Sequence, residues 1–159
     1  MVKRNTKVTL TILLASLIAA LVLLVTPLFF VDGLKDGVDA IWGFNAILGL
    51  GSGQIISGIA AKYSFTWVLY VAILLFAVMG FTTYYIGPKS RGYYIFSAIV
   101  YVVLAVIVFN SKAWVIREAL DSSAIVNRTY LGVGAWVAGL IAALNVILNI
   151  VEFRTFKLR

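Results

Sequence analysis

The sequence predicts an all-α integral membrane fold, a four-transmembrane-helix bundle whose long first outer loop is partly ordered. Three observations carry this. The chain of 159 residues is 63% apolar and only 12% charged, far from the balance of a soluble domain. Four uncharged stretches, 8–31, 64–86, 92–110 and 129–151, approach or exceed the roughly 20 apolar helical residues needed to cross a hydrocarbon core of about 30 Å. Every Lys, Arg, Asp and Glu lies between these stretches or at the chain ends. Residues 1–159 are therefore read as one membrane domain.

Lys3, Arg4 and Lys7 precede the first stretch, as basic residues precede the apolar part of a secretory signal. The stretch is too long for a signal's apolar region and no small-x-small cleavage site follows, so a retained signal-anchor is expected. Between the first two spans lies an outer loop over 32–63, long for a connection in so small a protein. It opens with two turn signals, Asp32-Gly33 and Asp36-Gly37, flanked by Val31, Leu34, Val38 and Ile41. A short β-hairpin centred on Lys35 to Gly37 is expected there. Residues 40–61 are uncharged and as long as a span, but Gly43, Gly49, Gly51, Gly53 and Gly58 crowd into them. Each glycine costs about 1 kcal/mol of helix propensity relative to Ala, so this segment is expected to lie outside or to dip shallowly into the outer leaflet. Its last part, 54–62, is expected to form two helical turns at the surface.

The second span leads through a short basic loop, with Lys89 and Arg91, into the third. After the third span, 111–128 form a second outer loop. Ala113, Ile116 and Leu120 recur there at helical spacing opposite Arg117, Glu118 and Asp121, which predicts a helix prolonging the third span. Trp67, Tyr84, Tyr85, Tyr93, Tyr94, Trp114 and Tyr130 fall near span ends, where amphipathic rings favour the membrane interface. They are read as anchors ahead of any ligand-binding aromatic box.

Charge orients the bundle. The segment before the first span, the loop at Lys89 and Arg91, and the segment after the fourth together carry the whole net charge of +7, while the two other loops sum to zero. Basic residues of short loops are retained in the cytoplasm, so both termini are expected inside, in the plasma membrane. Membrane lipid is the expected partner of these charges, not nucleic acid.

Candidate sites are few. The chain has no Cys and no His, which removes thiol nucleophiles, disulfides and the usual ligands of zinc, haem and iron–sulfur clusters. Neither G-x-x-x-x-G-K-[ST] nor G-x-G-x-x-G occurs around Gly49 to Gly53. Asp32, Asp36 and Asp39, or Glu118 and Asp121, stand among basic loop residues with no companion nucleophile, and are read as solvated faces. Asn127-Arg128-Thr129 matches a glycosylation sequon on the expected outer side, but so close to the fourth span it is read as a chance match, with glycosylation the alternative. No catalytic, cofactor or metal site is expected.

Two groups of residues stand out. On the fourth span Ala135, Ala138, Ala142, Asn145 and Asn149 follow a three-then-four spacing that leads to Glu152. Small side chains let helices touch in lipid and amides bond across the contact, so this face is read as a packing seam, against Thr9, Ser16, Ala19 and Thr26 of the first span. A polar solute path is the alternative. In the first outer loop Ile41, Trp42, Phe44, Ile47 and Leu48 are too apolar to remain in water. Some are expected to pack on the span ends and the rest to face a partner.

The order of elements resembles the claudin-like tetraspan class, and Ile41-Trp42-Gly43-Phe44 resembles the Trp and Gly-Leu-Trp elements of the claudin first loop. It is also similar to small bacterial four-span proteins of unknown function. The paired loop cysteines of claudins are absent, so the resemblance implies an architecture and lateral or outer-surface contacts, and no paracellular barrier. The function expected is non-catalytic: an accessory subunit, scaffold or small oligomer, associating with another membrane protein or with itself. A channel or facilitative transporter for a small neutral solute is the alternative.

Overall fold

The computed structural model describes residues 6–32, 38–49, 54–56, 59–61, 65–115 and 129–156. Four long helices dominate: α1 (Thr6–Val25), α3 (Trp67–Ile86), α4 (Arg91–Phe109) and α6 (Val133–Thr155). All four are long and apolar enough to cross a membrane. Between α1 and α3 lie β1 (Pro27–Asp32), β2 (Val38–Trp42), the short α2 (Gly43–Leu48), β3 (Gln54–Ile56) and β4 (Ile59–Ala61). Between α4 and α6 lie α5 (Ser111–Val115) and β5 (Thr129–Leu131).

The first apolar run changes conformation partway along. It leaves the helix at Val25 and continues as β1, so the stretch 8–31 is helix followed by strand. Pro27 explains the break, because it lacks an N–H for the helical ladder and forces the preceding residue out of helical backbone. Thr26 closes the last turn with its hydroxyl on the Val22 carbonyl at 2.7 Å. The strand stays apolar because Leu28, Phe29 and Val31 are buried beneath the rest of the cap.

The four long helices form a ring in which α1 touches α3 and α6, and α4 touches α3 and α6. The α3–α4 connection is a single 3₁₀ turn, Gly87–Lys89, with Pro88 inside it. That end of the bundle is called the turn end; the opposite one carries the strands and is called the cap end. Polarity runs inside out relative to a soluble bundle. Leu14, Ile18, Leu21, Leu140 and Ile147 are more than half exposed, while Thr9, Ser16, Thr83, Ser97, Asn145, Asn149 and Glu152 are buried. Hydrocarbon offers no hydrogen bonds, so polar groups of a spanning bundle turn inward; the arrangement is consistent with an integral membrane protein.

The cap is a three-stranded antiparallel sheet in the order β2-β1-β5, with Phe30 facing Ala40 on one side and Tyr130 on the other. The β1–β2 pair is a hairpin whose connecting residues, 33–37, lie outside the described residues. Backbone bonds fasten the sheet to the bundle: the Gly43 N–H donates to the Thr26 carbonyl at 3.0 Å, and that of Gly132 to Leu28 at 2.8 Å. Gly43 sits so tightly under α1 that a Cβ there would come within 1.7 Å of the Leu23 carbonyl oxygen. Only glycine fits. Helix α2 then ends on Gly49 with φ of 68°, the left-handed cap geometry that glycine adopts without strain.

The fourth stretch, expected over 129–151, likewise begins as the strand β5 and becomes helix only at Val133, because Thr129 to Leu131 pair with β1. Two further expectations differ. Residues 54–62 were expected as helical turns, but 54–56 and 59–61 form an antiparallel pair, β3–β4, with Ile56 opposite Ile59. Ile55, Ile56 and Ile59 are stiff at χ1 and favour strands over short helices, and a two-residue link containing Gly58 suits a hairpin. The helix after the third span is also not a plain prolongation, since Asn110 interrupts it as a turn before α5 begins. Its backbone N–H keeps the bond to the Val106 carbonyl at 3.0 Å, and its side-chain amide donates to the same oxygen at 2.8 Å. Residues 116–128, including Ile116, Leu120, Glu118, Asp121 and Asn127, lie outside the described residues.

Candidate functional site

The seam residues of α6 all point into the bundle. Ala135, Ala138, Ala142, Asn145 and Asn149 have no exposed surface, and Glu152 at the turn end is 5% exposed. Their spacing keeps them on one helical face, which lies between α1 and α4. Of the four first-span residues expected opposite, Thr9, Ser16 and Ala19 of α1 are buried and Thr26, just past its end, is half-buried. Ser16 is bonded directly to the stripe.

That bond belongs to a small network. The Asn145 Nδ2 donates to Ser16 Oγ at 3.0 Å, and the Tyr101 hydroxyl lies 2.6 Å from the same oxygen. Ser16 spends its one proton on the Ile12 carbonyl at 2.6 Å, so Tyr101 must donate to Ser16. One serine oxygen thus joins α1, α4 and α6 in the middle of the bundle. Tyr101 has no exposed surface and packs its ring 6.3 Å from that of Phe76 on α3. All four helices meet there.

The next layer is less complete. Asn149 Nδ2 donates to the Asn145 carbonyl at 2.7 Å. The Oδ1 atoms of Asn145 and Asn149 are buried without a hydrogen-bond partner among the described residues. Exchanging O and N within either amide does not help. At Asn149 it would set Oδ1 against the Asn145 carbonyl, and at Asn145 it would set Oδ1 against the Ser16 oxygen, whose proton is already on Ile12. Each such acceptor costs about 1–3 kcal/mol. Two carboxamide oxygens and the Ser111 hydroxyl are thus left buried without a partner among the described residues. A second pair, Thr83 and Ser97, joins α3 to α4 through hydroxyls 2.8 Å apart.

The cap divides its apolar residues between two tasks. Ile41 and Ile47 are buried and Leu48 is half-buried against the core, whereas Trp42 and Phe44 are each 41% exposed. Their platform is held at both ends: Gly43 by Thr26, and the last carbonyls of α2 by Thr66. The Thr66 N–H donates to Ile47 at 3.0 Å and its hydroxyl to Ala46 at 3.2 Å. Phe65 and Trp67, on either side of Thr66, are exposed as well. On the other flank Lys112 Nζ donates to the Thr129 carbonyl at 2.7 Å and ties α5 to β5.

No group of three or more His, Cys, Asp and Glu able to hold a metal occurs among the described residues. Among the acidic residues of the first loop, Asp32 is paired with Val38 and Asp39 with Val31 in the β1–β2 register, and Asp36 lies outside the described residues. Sequence reasoning missed Tyr101, although a tyrosine ten residues from one end of α4 and eight from the other is misplaced for an interfacial anchor. It also set Glu152 at the membrane boundary, where the structure folds it into α6 and buries it. No known family, curated protein or solved structure matches the chain.

Proposed function

We propose that the protein is a non-catalytic tetraspan that serves as an accessory subunit, scaffold or small oligomer, and that its cap makes the contact. The observation that carries this is the division within the cap. Ile41 and Ile47 anchor a hydrogen-bonded platform on the bundle, and that platform holds Trp42 and Phe44 half out of it. Large aromatic side chains on a rigid base lose little conformational entropy when a partner covers them. Membrane lipid accounts for the long helices' outer faces, and the partner is another membrane protein or a second copy. The claudin-like architecture belongs to the same proposal and draws support from the order of elements. So does placement in the plasma membrane with both termini inside, which rests on the charge asymmetry.

Replacing Trp42 and Phe44 together by Ser tests it. The variant should lose a co-purifying protein or fall from oligomer to monomer in native mass spectrometry while its melting temperature stays within a few degrees. An assembly unchanged from the parent's would remove the cap from consideration.

A second reading, a channel or facilitative transporter for a small neutral solute, is favoured by the two unmet carboxamide oxygens inside the bundle. They would accept hydrogen bonds from a passing donor. Solute flux in reconstituted liposomes that falls on Asn145→Leu would favour this reading over the first.

A further inference from the structure

A groove of about 260 Å³ runs along the outside of the bundle where α4 meets α6, near the turn end. Ile95, Ala98, Ile99 and Val102 of α4 form one wall, and Val146 and Ile150 of α6 the other. The α4 wall from Tyr94 to Val102 spans about 12 Å at 1.5 Å per residue. The lining is apolar, so a hydrocarbon chain is what it can hold. At the turn end the groove is closed by Phe153, and Arg91 sits over that residue. The guanidinium carbon lies 4.3 Å from the Phe153 ring centroid, and Nε donates to the Phe153 carbonyl at 3.2 Å.

These bonds hold an otherwise mobile side chain in place. Nε uses one of five donors, which leaves the terminal nitrogens for an anion; the fork geometry suits phosphate. Lys89 and Arg154 are exposed at the same end, whereas the acidic Glu152 beside them is buried. Next to Arg91, a Cβ on Gly92 would meet nothing within 4 Å, so there is room for a headgroup over the start of α4. A hydrocarbon slot ending in a fixed, positively charged rim has the polarity of a phospholipid.

We propose that this groove binds one anionic glycerophospholipid, with an acyl chain along Ala98 and Val102 and the phosphate on Arg91. The site rests on the helices lying in a bilayer. It is independent of the cap and of what the cap contacts.

The test is native mass spectrometry of the full chain in detergent, titrated with phosphatidylglycerol or with phosphatidylcholine of the same acyl chains. One phosphatidylglycerol should be retained roughly fivefold more tightly than phosphatidylcholine, the factor given by about 1 kcal/mol per basic residue near an anionic headgroup. Arg91→Gln should abolish the preference but leave chain-dependent binding, and Ala98→Leu, which fills the slot, should weaken both lipids. Equal retention of the two lipids by the parent, or a preference that survives both substitutions, would overturn the proposal. If a variant does not fold, the unaltered protein still decides. A phosphatidylglycerol with a diazirine in its acyl chain should cross-link to peptides covering 94–102 and 146–153. Cross-links spread evenly over all four long helices would overturn it too. Neither result bears on whether the helices span the membrane.

Discussion

The Ser16 oxygen that joins three helices makes a prediction in which one substitution changes sign with its background. In the native network Tyr101 donates to Ser16, while Ser16 still bonds Ile12 and Asn145 without it. Tyr101→Phe therefore removes one hydrogen bond and leaves no polar group stranded. Interhelical bonds of this kind average about 0.6 kcal/mol in membrane bundles, so a loss of that size is expected. Ser16→Ala is different, because it strands both the Tyr101 hydroxyl and the Asn145 amide in a site with no exposed surface. At about 1–3 kcal/mol per buried unmet group, reduced because a chain unfolded within the membrane also finds partners, the cost should be about 2 kcal/mol. In the Ser16→Ala background, Tyr101→Phe then removes a stranded hydroxyl and should restore about 1 kcal/mol. The assay is a double-mutant cycle on unfolding free energies, measured by denaturant titration in a fixed detergent micelle. If the two substitutions add, or if Tyr101→Phe costs as much as Ser16→Ala, the three-helix junction does not exist as described.

Other consequences can be measured separately. Ala138→Phe or Ala142→Phe should lower stability by about 1–3 kcal/mol, the usual cost of overpacking a closely packed contact, and a melting temperature in detergent equal to the parent's would mean that the stripe does not face its neighbours. Gly43→Ala should be at least as damaging, because the added Cβ meets the backbone oxygen of Leu23, which cannot swing aside; amide exchange over β1 and β2 should rise, and unchanged exchange would refute the close approach. For orientation, single cysteines replacing Lys35, Lys89 and Arg117 can be probed with an impermeant maleimide in intact cells. Labelling is expected at 35 and 117 and protection at 89, and the reverse pattern would defeat the charge argument.

Much of the candidate site was legible one helix at a time. The three-then-four spacing from Ala135 to Asn149 identified a single face of α6, and the structure buries every member of it. Its surroundings were not legible. The stripe was matched to α1 alone, yet α6 lies between α1 and α4, and the bond that closes the network comes from Tyr101 on α4. Spacing reports which residues share a face, because helix geometry is local. Which faces meet depends on how four helices pack at once, and no window along the chain contains that. The loop taught a related lesson. Ile41 and Ile47 are buried and Trp42 and Phe44 exposed, a division that comes from where α2 sits under α1 and not from any difference in apolarity.

What the sequence determined by itself was the class and the count of long helices. In hydrocarbon every backbone N–H and C=O must be satisfied within the protein, so an uncharged apolar run of sufficient length has helix as its default. The same logic stops being decisive where the chain can bury itself in protein. Residues 27–31 are as apolar as the helix before them, but they are covered by β2, β5 and the bundle and have neighbours to bond, so they form a strand. The three-stranded sheet unites residues a hundred positions apart, Phe30 with Tyr130. Only the tertiary structure could decide that pairing, because a strand's partner is chosen by which edge is near once α1 and α6 have packed side by side.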